Sequence, residues 1–302
     1  MSFMKQLAII GPTASGKSDL ALAVADRHNA LILSIDSLSI YREIDIASAK
    51  PSSKELRDIE HFGINVLAPN KTASVFTFIN EYHRAQSIAT QHGKNLIIVG
   101  GSSFYLKSMV EGLSSLPEIS EEVRSKTDRM LDDLGEAHRF LSEIDPLTMS
   151  KITPSDTYRI EKMLHLTLQT KTPPSKWFHD HPPKPIIHNC PILSIDIDRS
   201  ILRERIRLRT QKMISQGIID EVAELERLYG RTPNSMKAIG IIETLEFLDG
   251  KITKQKLLED ISTHTGQLSK RQQTFNTNQF ALQTRGSVEE LEEIARTILT
   301  HP

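Results

Sequence analysis

The stretch that most constrains this chain is Gly11-Pro12-Thr13-Ala14-Ser15-Gly16-Lys17-Ser18. It follows the apolar run Leu7-Ala8-Ile9-Ile10 and leads into Leu20-Ala21-Leu22-Ala23-Val24-Ala25. That order reads as strand, glycine-rich loop, helix, and the spacing fits the phosphate loop G-x-x-x-x-G-K-[ST]. The glycines let backbone N–H groups converge on an anion, and the N-terminus of the following helix adds partial positive charge. Lys17 supplies a full charge. The Ser18 hydroxyl is the residue to ligate a Mg2+ ion that bridges phosphate oxygens. A di- or triphosphate site is therefore expected.

The remaining apolar runs build a sheet around this loop. Residues 30–35 and 95–99 are nearly continuous in aliphatic side chains, as strands buried on both faces must be. The second strand ends at Asp36. In open parallel sheets the ligand sits beyond the carboxyl ends of the strands, so Asp36 is expected to face the same crevice as Lys17. Gly100-Gly101-Ser102-Ser103 follows the third strand and offers a second loop at that edge. Helical spacing of apolar residues predicts a helix over 72–92. Residues 37–53 read as a loop.

Near Gly112 the pattern changes. Helices are predicted over 120–134, 135–144 and 155–170, the last with Tyr158, Met163, Leu164 and Leu168 in its core. Residues 179–191, rich in Pro and His, read as a connector. A strand returns at 192–197, and a helix capped by Ser200 follows with Arg203, Arg205, Arg207 and Arg209. Further helices are expected over 235–248, 253–275 and 287–299. The expected fold is α/β: a P-loop NTPase-like parallel sheet core, residues 1–114 and 191–302, with an all-helical insertion domain, 115–190.

Composition excludes several classes. The net charge is −1, so a polyanion must be held by a local basic patch and not by the field of the whole protein. One cysteine excludes an internal disulfide and makes no zinc site. The His179, His181 and His188 group lacks ligand spacing for a metal. No run reaches the ~18 apolar residues of a membrane span. A cytoplasmic, monomeric protein without membrane attachment is expected.

In chain order, further motifs join the phosphate loop: Asp36-Ser37-Leu38-Ser39-Ile40-Tyr41-Arg42, Asp45-Ile46 with Ala49-Lys50-Pro51, and Val99-Gly-Gly-Ser102 through Lys107. Asp156-Thr157-Tyr158-Arg159, Arg209 with Met213 and Gly217, Ala238-Ile239-Gly240 and Ser269-Lys270-Arg271-Gln272 complete the set. Together they resemble the bacterial tRNA dimethylallyltransferases. The resemblance implies transfer of a dimethylallyl group from dimethylallyl diphosphate to the exocyclic amine of the adenosine 3′ to the anticodon, releasing diphosphate. It implies the tRNA anticodon stem-loop as partner and Mg2+ as cofactor. It makes Asp36 the general base, and Lys17, Ser18 and Arg209 the holders of the diphosphate together with Gly11 to Gly16. Ser102 falls where the family contacts tRNA near the reacting centre. Ser37, Leu38, Ser39, Arg124, Arg159, Lys237 and Gly240 fall at tRNA-binding positions. Ser39 departs from the family's glutamine, Ile241 from its tyrosine and Phe275 from its tryptophan. The competing reading is a small-molecule or nucleoside kinase, which also carries a phosphate loop, a carboxylate after its second strand and an arginine-bearing helix.

Overall fold

A computed structural model describes residues 4–300, and these divide into two compact units. The first holds the chain up to Val110 and from Ile187 onward; the second is Glu111–Ile186.

In the first unit, six strands form one all-parallel sheet: β1 Gln6–Ile10, β2 Ala30–Ser34, β3 His61–Phe62, β4 Asn95–Gly100, β5 Ile192–Ile195 and β6 Gln283–Gly286. Their spatial order is β3-β2-β4-β1-β5-β6. The central strands are the continuous aliphatic runs, and β1, β2 and β5 are buried at every residue. The helices in this unit before the second one are α1 Lys17–Arg27, α2 Ser53–Asp58, α3 Val75–His92 and α4 Ser103–Glu111, whose last residue belongs to the second unit. Right-handed crossovers running in opposite directions across the sheet place α1 and α3 on opposite faces. Leu7, Ile9, Ile32, Ile97, Val99, Leu193 and Ile195 pack with α1 and the C-terminal helix on one face. The pleat sends Leu31, Leu33, Leu96 and Ile98, also fully buried, to the face where α3 brings Phe78 and Tyr82.

Parallel strands share one carboxyl edge. The phosphate loop after β1, Asp36 after β2 and Ser102 after β4 therefore lie along the same rim.

The second unit contains α5 Glu121–Leu131, α6 Leu134–Ile144, α7 Pro146–Met149, α8 Thr157–Thr170 and α9 Pro174–Asp180. Its core is Ala137, Leu141, Met149, Ile152, Ile160, Leu164 and Leu168. Buried Asp145 ties three segments together by accepting from the backbone N–H groups of Thr148 and Ser175 and from the Thr148 hydroxyl. The first unit then resumes with α10 Arg199–Gln216, α11 Ile218–Tyr229, α12 Ile241–Leu248, α13 Lys254–Gln279 and α14 Val288–Thr300.

Several expectations need correction. Tyr158 is 69% exposed with the Lys162 ammonium over its ring, not in the core. Met163 packs against that core only partly buried. The predicted connector, 179–191, begins inside a helix, α9 Pro174–Asp180, because Pro174 tolerates a first-turn position where no N–H is required. Asp198, not Ser200, caps α10, with its carboxylate accepting from the Ser200 and Ile201 amides. The single helix expected over 235–248 is broken. A short 3-10 turn, Asn234–Lys237, ends before Gly240, whose φ of 92° lies in the left-handed region, and α12 starts after it. β3 and β6 escape the hydrophobic pattern because one has two residues and the other is a polar edge strand, Gln-Thr-Arg-Gly. The short α2 carries a Ser52/Glu55 capping box, a signal that was present in the sequence.

Ile9 lies in the central strand and is fully buried. Ile9→Ala is expected to cost about 3 kcal/mol of stability from lost burial and the cavity left behind, measured by urea denaturation.

Candidate functional site

The site is assembled in the first unit from the phosphate loop, the segment after β2, and helices α10 and α13. Gly16 caps α1, so Lys17 and Ser18 open the helix. Lys17 is buried and its Nζ lies 3.5 Å from the Pro12 carbonyl oxygen. Ser18 is exposed toward a cleft shared with Gly16, Asp19, Arg205, Arg209 and Glu289. Arg205 donates from Nη1 to the Ser15 carbonyl at 3.0 Å, fixing α10 against the loop. Arg209, one turn further along the same face, is half-buried and lines every pocket around the loop.

Electrostatics distinguish this cluster from an ordinary surface. Burial lowers the pKa of Lys17 to about 8, with Asp36 opposing the shift and Arg209 adding to it. Burial also lowers the pKa of Arg209, opposed by Asp36 and Asp19. Both cations thus carry a charge that burial penalises and that Asp36 partly offsets.

Asp36 is held by its own loop. Its Oδ1 accepts from the Leu38 amide at 2.9 Å, the Ser39 amide at 3.1 Å and the Ser39 hydroxyl at 3.4 Å. Ser39, buried at 5% exposure, thus orients the carboxylate. The Ser102 hydroxyl accepts from the Ser37 amide at 3.3 Å and links the loops after β2 and β4.

Two hollows meet at Asp36. One lies beside Lys17 and Ser18, with Ile32, Ile64 and Val99 in its wall. The other is a cavity of about 310 Å³ bounded by Ser37, Leu38, Ser102, Met213 and Lys237. Thr13, Asp36, Ser48 and Arg209 belong to both.

The structure places the expected residues unevenly. Lys17, Ser18, Asp36, Ser37, Leu38, Ser39, Ser102, Arg209 and Lys237 surround these hollows. Gly240 does not; it is buried behind Lys237, Ala238 and Ile239, and its N–H donates to Glu243 Oε2. Arg124 and Arg159 are exposed on α5 and α8 of the helical unit, Arg159 paired with Asp156 at 3.4 Å. Tyr41, read as loop, is buried, and its hydroxyl accepts from the Ala73 amide.

Residue-by-residue reading assigned no role to Gln272. Its Oε1 accepts from both the Thr13 amide, at 2.8 Å, and the Thr13 hydroxyl, at 3.1 Å. Its amide nitrogen packs closely on Gly101, where a Cβ would lie 2.5 Å from it and push the amide aside. With Ser269, which donates to the Thr13 carbonyl, α13 thus grips the phosphate loop. The contact spans 259 residues, and no local pattern announces it. Among the described residues no cluster of His, Cys, Asp and Glu is able to hold a metal on its own.

Comparison with known proteins agrees with this architecture. Residues 39–279 match the family model described as IPP transferase. The chain is 53% identical to the tRNA dimethylallyltransferase of Sulfurimonas denitrificans, over 98% of this chain and 100% of that protein. It is 46% identical to the enzyme of the same name from Wolinella succinogenes, over 98% and 99%. The tRNA isopentenylpyrophosphate transferase from Bacillus halodurans superposes with a TM-score of 0.71 at 25% identity, covering 98% of this chain and 97% of that one. A eukaryotic dimethylallyltransferase acting on tRNA superposes at 0.83 over 96% of this chain and 75% of its own; at 22% identity that likeness shows the fold alone.

Lys17 is charged below its pKa of about 8 and neutral above it. Affinity for inorganic diphosphate is therefore expected to weaken as pH rises through about 8, measured by calorimetry. Lys17→Arg, which stays charged, is expected to lose that step.

Proposed function

The chain belongs to the IPP transferase family of tRNA dimethylallyltransferases, and we propose that it transfers the dimethylallyl group of dimethylallyl diphosphate to the exocyclic amine of the adenosine 3′ to the anticodon. The observation that carries this reading is the position of Asp36 and Arg209 in both hollows, one beside the phosphate loop and one large enough to admit a base.

Lys17, Arg209 and the loop amides bind the diphosphate. The N6 lone pair of adenine attacks the allylic carbon, a nitrogen–carbon bond forms, the carbon–oxygen bond breaks, and diphosphate leaves with its electron pair. The allylic carbon gains positive charge as this happens, so stabilising the leaving group matters more than activating the amine. Asp36 orients the amine and accepts its proton. Its Oδ1 is engaged by the 38–39 loop, which leaves the other oxygen for the substrate. An adenine reaches this depth only after leaving its stack, which an anticodon loop permits. Ser37, Leu38, Ser102 and Lys237 line the acceptor cavity, and exposed Arg124 and Arg159 in the helical unit bind tRNA phosphates.

The residues also suit Mg2+. The phosphate loop offers one exposed hydroxyl, Ser18, beside the anion site, and a hard cation that keeps its waters needs few protein ligands beyond substrate phosphates. Bound there, it would supply further charge neutralisation to the diphosphate. Among the described residues no helix is long and apolar enough to cross a membrane.

Incubation with unmodified tRNA and labelled dimethylallyl diphosphate tests the reading. Label is expected in the adenosine beside the anticodon; phosphate transfer from ATP to a metabolite instead would overturn it. Asp36→Ala is expected to lower the rate by at least about 100-fold while tRNA still binds in a gel-shift assay. Arg209→Ala is expected to lower kcat/KM for the donor by about 100-fold.

A further inference from the structure

The strongest unassigned feature near the site is a carboxylate clamp. Glu221 stands in the first turn of α11 and is half-buried. Its Oε2 accepts from the Asp45 amide at 2.9 Å and the Ile46 amide at 2.7 Å, and its Oε1 accepts from the Ala47 amide at 2.9 Å. Three consecutive backbone N–H groups converging on one anion form a nest, and here the anion comes from the protein itself. The residues that follow are site walls. Ala47 lines the acceptor cavity, Ser48 lines both hollows, and Ala49 lines the donor side together with Lys17, Ser18 and Arg209.

Within itself the segment is held by turn hydrogen bonds, Ala49 N–H to the Ile46 carbonyl and Lys50 N–H to the Asp45 carbonyl. It belongs to no helix or strand. Its side-chain anchors besides Glu221 include Lys50, whose buried ammonium donates to the Tyr41 carbonyl, Asp45 Oδ1 and Asn65 Oδ1, and Ser48, whose hydroxyl donates to the Ile44 carbonyl. Lys50 ties the segment back to its own neighbourhood in the sequence. Glu221 ties it across the site to the α10–α11 hairpin that carries Arg209.

We propose that Glu221 is a positioning residue for the reaction: by capping the 45–47 amides it fixes the loop that forms one wall of both substrate hollows against the helix pair that carries Arg209. The clamp touches no reacting atom. Releasing it lowers the fraction of molecules whose walls are in place, and affinity for both substrates falls by that fraction while the chemistry of occupied sites is retained. This inference rests on the transferase reading for its kinetic arm only.

Glu221→Gln keeps size and shape but replaces one acceptor oxygen with a donor that faces backbone N–H groups. It is expected to raise KM for both tRNA and dimethylallyl diphosphate about 10-fold with kcat within about 3-fold of wild type. Glu221→Asp, too short to reach all three amides, is expected to fall in between. Hydrogen exchange of the amides in residues 44–50 is expected to speed up at least about 10-fold in Glu221→Gln, with the sheet amides unchanged. A lower kcat at unchanged KM would mean only that fewer molecules are folded and would overturn the proposal, as would unchanged exchange in 44–50. The exchange arm needs no transferase activity, so a wild-type protein that fails to transfer label overturns the function and leaves that arm to decide the clamp.

Discussion

Everything in this protein's site turns on two cations held beside each other away from bulk water. Lys17 and Arg209 come from helices nearly 200 residues apart in the chain, and burial penalises the charge of each. Asp36 is the first charge that offsets either one. Such an arrangement is stable only if something holds the elements that carry it, and it becomes favourable when an anion with two or more charges enters. In the proposed reaction the diphosphate leaving an allylic carbon is such an anion, and the electrostatics that would bind it would also favour its departure.

The sheet supplies the holding. Because all strands run in one direction, every strand's last residue delivers its loop to one rim, and the buried aliphatic runs leave those loops little freedom to shift. Strand β1 delivers Lys17, β2 delivers Asp36 and β4 delivers Ser102. The opposite wall is not part of the sheet. It comes from α10, α13 and the 237–239 turn, and polar anchors fasten it and the adjoining α11 across the gap: Arg205 to the Ser15 carbonyl, Gln272 and Ser269 to Thr13, and Glu221 to the 45–47 amides. Each of these joins a side chain to backbone, and Gln272 also accepts from the Thr13 hydroxyl. The phosphate loop and the 45–47 loop are thereby fixed while Lys17, Asp36 and Arg209 take no part in these anchors.

The helical unit follows different physics. It has its own small core around Leu141, Ile160 and Leu164, and places cationic and aromatic side chains, Arg124, Arg159 and Tyr158, at its surface. An exposed tyrosine with a lysine over its ring stands where the hydrophobic pattern called for a buried residue. Amphipathic spacing reports that a residue is apolar, and cannot tell an aromatic packed in a core from one presented to solvent.

The sequence by itself determined the phosphate loop, the central buried strands, the carboxylate after the second of them and the helical interruption. Each is encoded by neighbours: glycine spacing, continuous aliphatic runs and proline or glycine stops act over a few residues. The motif series also carried the family resemblance, because it preserves residue identities in order. Tertiary structure alone decided that Arg205 of α10 anchors the phosphate loop, that Gly240 lies behind the wall and not in it, that a two-residue strand and a polar strand complete the sheet edges, and that Gln272 and Glu221 fasten the loops. The Glu221 and Gln272 contacts join residues 174 to 259 apart. A single glutamine or glutamate looks the same in a sequence whether it faces water or three backbone amides, and only folding sets which of the two it meets.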